Sequence, residues 1–191
     1  MSASRQGRAP RRERFEALYA EHYASIYRYV GRRVDGRASE VPDVVAEVFT
    51  AAWRRLDEVP HGEATRLWLY GLARHSLLNH RRGRRRRWRL LSRLTAEATT
   101  ITRAQGATDQ GDSSLREAIN RLPDPYREVL RLVAWEGCSH AEAAQVLGCS
   151  VNAVALRFHK AKARLREDPV VAARLHLLQA EHNRALDAQR K

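Results

Sequence analysis

Glycine, proline and cysteine are scarce in this chain of 191 residues, which contains ten, six and two of them. The scarcity of turn-forming residues, and the lack of any segment with the apolar–polar alternation of a strand, favour an all-helical fold. The two cysteines, Cys138 and Cys149, are too few for a disulfide framework, and with the histidines they match no zinc-binding spacing. We therefore expect neither a disulfide scaffold nor a metal or cofactor site.

Long apolar runs are also lacking, because no stretch approaches the length of about 18 residues that a membrane-spanning helix requires. The N-terminal segment is basic but has no apolar core of the kind found in signal peptides. These features predict a cytoplasmic protein.

Acidic residues are outnumbered: the chain has 22 of them and 35 arginines and lysines, which gives a net charge of +13. A positive excess of this size favours a polyanionic partner, which can be nucleic acid or an anionic membrane. The sequence has no glycine-rich phosphate loop, no nucleophile elbow and no recognisable catalytic set, so an enzyme is not expected.

The clearest motif is SHAEAAQVLGCSVNAVALRFHKAKARL at residues 139 to 165. Ser139 and Glu142 predict a capping box, and Gly148 suits the left-handed residue that ends a helix. In the following helix the apolar positions that recur at helical spacing are Val151, Val154, Phe158, Ala161 and Leu165. The other faces are polar or cationic, which is typical of a helix-turn-helix that places its second helix in a DNA major groove. An ordinary helical hairpin is the alternative.

Composition divides the chain into five segments. They are a disordered basic tail at 1–12, a helical domain at 13–94, a flexible linker at 95–112, a helical domain with the helix-turn-helix at 113–167, and a C-terminal helical tail at 168–191. In the first domain we predict helices that start near Glu13, Pro42 and Thr65. The residues expected on their buried stripes include Phe15, Leu18, Tyr19, Ile26, Tyr27, Val30, Val34, Val45, Val48, Phe49, Ala52, Trp53, Leu56, Leu69, Leu72, Ala73 and Leu77.

The end of the first domain is strongly basic. From Ala64 to Leu94 there are ten arginines and no acidic residue. Such a run is often only a solvated face, but here it continues directly from an apolar, aromatic helix. We therefore predict a surface that follows a nucleic-acid backbone.

Three blocks carry a resemblance to a known family. They are DVVAEVFTAAWRRLDEV at 43–59, RLWLYGLARHSLLNHRR at 66–82 and SLREAINRLPDPYREVLRL at 114–132. The chain resembles an extracytoplasmic-function (ECF) sigma factor of the bacterial sigma-70 family, with region 2 at 13–94 and region 4 at 113–167. The resemblance implies a subunit that binds core RNA polymerase through the β′ clamp helices and the β flap, reads the −35 and −10 promoter elements and promotes strand opening. It also implies a possible anti-sigma partner.

The resemblance also assigns candidate site residues. Those expected to bind polymerase are Asp43, Glu47, Arg54 and Arg55, while Phe49 and Trp53 are expected in the core. Those expected at the −10 element are His61, Arg66, Trp68, Arg74, His75, Asn79, Arg81 and Arg82. Those expected at the −35 element are Ser150, Asn152, Ala155, Arg157, His159, Lys160 and Arg164.

The chain departs from the family pattern at several of these positions. His75 stands where asparagine is common, and Ala155 and Leu156 stand where a basic residue and serine are frequent. An apolar pair in the groove would favour a thymine methyl group over guanine. Two other functions remain open at this point: a stand-alone helix-turn-helix regulator with a ligand pocket in its N-terminal domain, and a basic protein that binds nucleic acid without sequence preference.

Overall fold

The fold consists of helices joined by short turns. The computed structural model describes residues 8–34, 38–94 and 110–172, and every regular element in these ranges is helical. The chain divides into two compact units, residues 1–106 and 107–191. The all-helical prediction is confirmed.

The described part of the first unit contains three α-helices. They are α1 (Arg8–Gly31), α2 (Val41–Arg54) and α3 (Ala64–Leu94), with single 3-10 turns at Ala38–Glu40 and Leu56–Glu58. All three helices contribute to one core, in which Val30, Val48 and Leu69 are completely or almost completely buried. α1 and α3 also meet through Tyr29 and Tyr70, whose rings stack with centroids 4.5 Å apart. Ser25 Oγ and Tyr70 Oη lie 3.0 Å apart and share a hydrogen bond.

The first helix starts earlier than the sequence predicted. α1 begins at Arg8, so residues 8 to 12 of the expected disordered tail are helical. Arg11 explains the difference, because its Nη1 lies 3.0 Å from Asp57 Oδ2 and its Nη2 donates to the carbonyl oxygen of Trp53 at 3.0 Å. These partners are more than 40 residues away in sequence, so no local pattern indicates that they hold this turn in place. Residues 1–7 lie outside the described residues.

Some predicted core positions are exposed instead. Tyr19 and Tyr27 of α1 expose 41% and 39% of their surface, whereas Tyr29, which was not assigned to the stripe, is fully buried. Tyrosine tolerates such partial exposure, because its ring can pack against neighbouring aromatic side chains while its hydroxyl group remains in water. Of the other α1 positions of the stripe, Leu18, Ile26 and Val30 are buried as predicted, whereas Phe15 is half-buried.

Four helices of the second unit lie within residues 110–167. They are α4 (Gln110–Arg121), α5 (Asp124–Ala134), α6 (His140–Leu147) and α7 (Val151–Glu167). α4 includes residues 110–112, which were expected in the linker; residues 95–109 lie outside the described residues. Ile119, Leu122, Leu130 and Ala161 form the centre of a core against which Phe158 packs.

The start of the predicted C-terminal tail is tied to this unit. The Asp168 carboxylate accepts hydrogen bonds from the backbone of Val170 at 3.1 Å and from Arg121 Nη2 at 2.7 Å. These contacts, with the Arg121 guanidinium contributing most, hold the pKa of Asp168 below its usual range. Helical backbone resumes at Pro169 and is described to residue 172. The rest of the expected tail helix, 173–191, lies outside the described residues.

Two absences apply to the described ranges. None of their helices combines the length and apolarity that crossing a bilayer demands. Across the same ranges, no three histidine, cysteine, aspartate or glutamate side chains come together as a metal site would require.

Candidate nucleic-acid interface

The helix-turn-helix is fixed by local hydrogen bonds at each of its turns. Ser139 Oγ accepts from the Glu142 amide at 3.2 Å, and the Glu142 carboxylate accepts from the Ser139 amide at 2.7 Å. This confirms the predicted capping box at the start of α6. Gly148 ends α6 with φ of 64°, in the left-handed region. Ser150 then caps α7, because its Oγ accepts from the Ala153 amide at 3.2 Å.

One side of α7 anchors the helix in the core. Val154 and Ala161 are fully buried, and Phe158 and Leu165 pack beside them. Val151 does not join them and is 47% exposed, which corrects its assignment to the buried stripe. Val151 is the first residue of the helix, so no preceding turn covers its side chain. The helix-turn-helix nevertheless holds α7 by one face only.

The opposite side of α7 faces solvent. With about 100° between successive residues, Asn152, Leu156, His159 and Lys160 lie on the side away from Val154. All four are exposed. Ser150 is also exposed, with its hydroxyl engaged in the cap, and Ala155 is half-buried at the side of the helix. The structure therefore groups three predicted −35 residues with Leu156 on one outward surface.

The two arginines predicted at the −35 element lie at the flank of α7. Arg157 is half-buried, with its Nη1 3.7 Å from the Cys149 sulfur. The guanidinium carbon of Arg164 lies 4.7 Å from the centroid of the Tyr126 ring. Side chains at this border between core and solvent can reach phosphates beside a groove more readily than base edges within it.

A second outward surface runs along α3. Trp68, His75, Asn79 and Arg82 fall within an arc of about 60° on the helix, and we call this set the α3 strip. His75, Asn79 and Arg82 are exposed and Trp68 is half-buried. The guanidinium carbon of Arg55 lies 5.5 Å from the Trp68 ring centroid. The strip thus combines a stacking surface, hydrogen-bonding groups and a cation.

The other predicted −10 residues do not share this strip. Arg66, Arg74 and Arg81 lie more than about 100° away from Trp68 around the helix. Arg66 lies beside the Tyr70 ring at 5.9 Å, and Arg81 donates to the carbonyl oxygen of Arg33 at 3.1 Å. Arg66 and Arg81 therefore contact the body of the first unit, and Arg74 is half-buried.

His61 lies in the turn that precedes α3. This turn is closed by the Thr65 hydroxyl, which donates to the carbonyl oxygen of Pro60 at 2.6 Å. Gly62 takes φ of 68°, a conformation that favours glycine. His61 itself is exposed.

An arginine run follows the α3 strip toward the end of the helix, and within this run Arg86 lies in the arc of the strip. Arg82, Arg85, Arg86 and Arg87 are all exposed. In contrast, Arg84 and His80 approach Glu40, at 3.7 Å and 3.1 Å from its Oε2. The cations beyond His80 therefore divide into those directed at the first unit and those available to an external anion.

A third surface is formed by α2. Asp43, Glu47 and Arg54 are exposed and occupy one face of the helix, at positions i, i+4 and i+11. Arg55 follows the helix and donates through Nε to Glu58 at 2.8 Å. That contact lowers the pKa of Glu58.

The aromatic residues of α2 have different environments. Phe49 is buried, as predicted, but Trp53 is 38% exposed and does not belong to the core. Its ring packs edge-on against Phe15 at 5.1 Å, with the Arg11 guanidinium 5.4 Å away. Sequence reasoning missed this exposed indole beside the charged face of α2, although its position about 80° from Asp43 around the helix was a usable signal.

Comparison with known proteins agrees with this layout. The family model for sigma-70 region 2 matches residues 18–87, and that for sigma-70 region 4 matches residues 112–165. The chain is 31% identical over 154 residues to the ECF RNA polymerase sigma factor SigL of Mycobacterium tuberculosis, covering 78% of this chain and 85% of SigL.

Two solved structures share the fold. The structure of CnrH, a protein of Cupriavidus metallidurans, in complex with the cytosolic domain of CnrY matches with a TM-score of 0.56 and 28% identity, over 85% of this chain and 88% of CnrH. The sigma factor RpoE of Bartonella quintana, in complex with the anti-sigma factor NepR, matches with a TM-score of 0.64 and 23% identity, over 80% of this chain and 94% of RpoE. With both regions matched and this identity to SigL, the chain belongs to the sigma-70 family of RNA polymerase sigma factors, in the ECF group.

Proposed function

We propose that this sigma factor directs core RNA polymerase to promoters by placing α7 in the −35 duplex and the α3 strip on the −10 strand. The observation that carries the proposal is the outward surface of α7, held by one buried face within a fully capped helix-turn-helix. The protein itself performs no chemical reaction, since catalysis belongs to the polymerase, and it acts in the cytoplasm.

At the −35 element, base reading is assigned to the exposed face of α7. Asn152 lies in the first turn of the helix, where recognition helices contact base edges. Its amide can pair with adenine through two hydrogen bonds. Lys160 lies two turns later and supplies a cation. Arg157 and Arg164 at the flank are assigned to phosphates.

At the −10 element, the α3 strip is assigned to a base that leaves the duplex. Extracting a base costs a few kcal/mol, which stacking and hydrogen bonds in a receiving site must offset. His75 and Asn79 lie one turn apart and offer hydrogen-bonding groups for this base, while Trp68 lies about 10 Å from His75 along the helix and offers an aromatic face to a different base. Arg82 is placed to contact the neighbouring phosphate.

Polymerase binding is assigned to α2. Its exposed face carries carboxylates at Asp43 and Glu47 and a guanidinium at Arg54, so it can pair with charges of both signs on another helix. The half-exposed Trp53 beside this face supplies apolar area of the kind that dominates binding energy at interfaces.

A protein partner that competes with polymerase is also part of the proposal. The related CnrH was solved in complex with the cytosolic domain of CnrY. We expect an anti-sigma protein to hold this chain and to release it when transcription is required. Such a partner should lower the affinity of the chain for core polymerase in a titration.

The decisive experiment is run-off transcription from a genomic promoter library with purified core polymerase, with and without the protein. Discrete new start sites that share two spaced upstream motifs are expected. DNA binding without polymerase binding or new starts would instead indicate a stand-alone regulator. Binding to every duplex with equal affinity would indicate a non-specific basic protein.

Two variants of α3 then test the assignment of the −10 site. Asn79→Ala should reduce strand opening, measured by permanganate reactivity of unpaired thymines, while polymerase binding stays unchanged. Arg74→Gln serves as the matched control, because Arg74 lies on the same helix but outside the α3 strip. Equal loss of opening in both variants would contradict the assignment.

A further inference from the structure

We infer that Leu156 reads the C5 methyl group of a thymine in the −35 duplex and so determines part of the promoter sequence. The inference rests on the proposed placement of α7 in a major groove. Leu156 is 56% exposed, more than any other large hydrophobic residue whose side-chain burial the structure describes. A single exposed leucine is common on protein surfaces, so its exposure alone assigns no contact. Its place on the face of α7 that is proposed to enter the groove is what carries the inference.

The position of Leu156 on α7 supports this contact. Leu156 lies about 160° around the helix from the fully buried Val154. Asn152 lies one turn before it and Lys160 one turn after it, and both are exposed. Leu156 is the sixth residue of the helix, so it lies within the N-terminal turns that approach base edges.

The structure also separates the two apolar residues that stand in place of polar ones. Ala155 is half-buried at the side of α7, whereas Leu156 projects outward. Only Leu156 therefore combines an apolar side chain of several carbons with the direction that a base contact needs.

The chemistry of the groove determines what a leucine can recognise there. Base edges in the major groove carry hydrogen-bond donors and acceptors, and the thymine methyl is the apolar group among them. A leucine side chain has no polar atom, so beside guanine or adenine it would cover polar atoms without pairing them. Against thymine it buries a methyl group, which corresponds to about a fourfold gain in affinity.

The experiment removes the methyl group alone. A duplex that the full-length protein prefers is first selected from a random pool, and each thymine is then replaced singly by deoxyuridine. Dissociation constants are measured by fluorescence anisotropy for the wild type, for Leu156→Ala and for Val151→Ala. Val151 is a matched control, because it is 47% exposed on the same helix but lies about 140° away from Leu156.

In the wild type, one thymine position of the duplex should be sensitive to the loss of its methyl group. There, deoxyuridine should weaken binding about fourfold for the wild type and for Val151→Ala, and should change nothing for Leu156→Ala. Because Leu156 is exposed and alanine favours helix, the variant should fold normally, and circular dichroism checks this. A methyl effect that persists in Leu156→Ala would overturn the inference, as would a selected duplex with no methyl-sensitive position.

The two levels of the proposal can fail separately. A failure to select any preferred duplex, with polymerase and without it, would refute the groove placement of α7 and the inference together. A preferred duplex whose thymines show no coupling to residue 156 would refute only the reading of the methyl group.

Discussion

The arginines near the end of α3 give a quantitative prediction about salt dependence. Arg85 and Arg86 are exposed on a helix whose 31 residues contain no acid. If both contact phosphates, removing them should lower the slope of log affinity against log salt by about 1.8 on duplex DNA and by about 1.4 on a single strand. Between about 50 and 200 mM salt, the double variant should then lose about tenfold less duplex affinity than the wild type does.

The assay uses Arg85→Gln with Arg86→Gln in the full chain, and anisotropy titrations of a promoter duplex at four or more salt concentrations. Arg12→Gln with Arg28→Gln is the control, since both residues are exposed on α1 and their removal lowers the net charge equally. The control should leave the slope unchanged. If both double variants lower the slope by the same amount, total charge rather than local contact governs binding and the reasoning about α3 is refuted.

Three further predictions concern the second unit and α3. Ser139→Ala should reduce the free energy of opening at the start of α6 by about 1 kcal/mol, because an amide loses its cap; hydrogen exchange in that turn measures this. The pKa of Asp168 is lowered by Arg121, so the ion pair stabilises the fold above the unfolded pKa of about 4 and is lost as the pH falls. In Asp168→Asn, the free energy of unfolding should therefore decrease less between about pH 5 and pH 2 than in the wild type. An equal decrease in both proteins would contradict the assignment. Gly148→Ala should destabilise the unit by about 1 to 2 kcal/mol because φ is positive there, whereas Gly83→Ala, in the open middle of α3, should raise helix stability by up to about 1 kcal/mol in thermal unfolding.

Features that depend on neighbouring residues were predictable from the sequence. The capping box of Ser139 and Glu142 and the left-handed Gly148 involve residues within one or two turns, and all were confirmed. The buried stripe of α2 followed from helical spacing because four of its members, Val45, Val48, Phe49 and Ala52, do face one core, and Leu56 is buried in the 3-10 turn after the helix.

Features that depend on distant residues could not be predicted. Arg11 extends α1 through contacts with Trp53 and Asp57, and neither contact has a local signature. Helical spacing places Trp53 at the edge of the stripe, where only the fold decides how much of its surface is covered. The same applies to Tyr29, whose burial depends on the stacked ring of Tyr70.

The candidate sites show the same division. Residue types and their helices were inferred from motifs and family resemblance, but the direction of each side chain follows from packing. Helical phase alone separates Arg74 from His75, although the two are adjacent in sequence. The sequence offered Ala155 and Leu156 together as contacts of a thymine methyl group, and only the difference in their exposure singles out Leu156.

The continuity of α3 has a consequence for how promoter contacts are spaced. At about 1.5 Å per residue, the 31 residues of this helix form a rod of about 46 Å. Asn79 and Arg86 are about 10 Å apart along its axis, which is close to the length of three stacked nucleotides. A phosphate held at Arg86 would thus raise the effective concentration of one particular base at Asn79, because the rod sets the distance between them. One residue inserted between these positions would rotate them by about 100° relative to each other. Both side chains would remain, but a phosphate bound at Arg86 would no longer direct a base to Asn79.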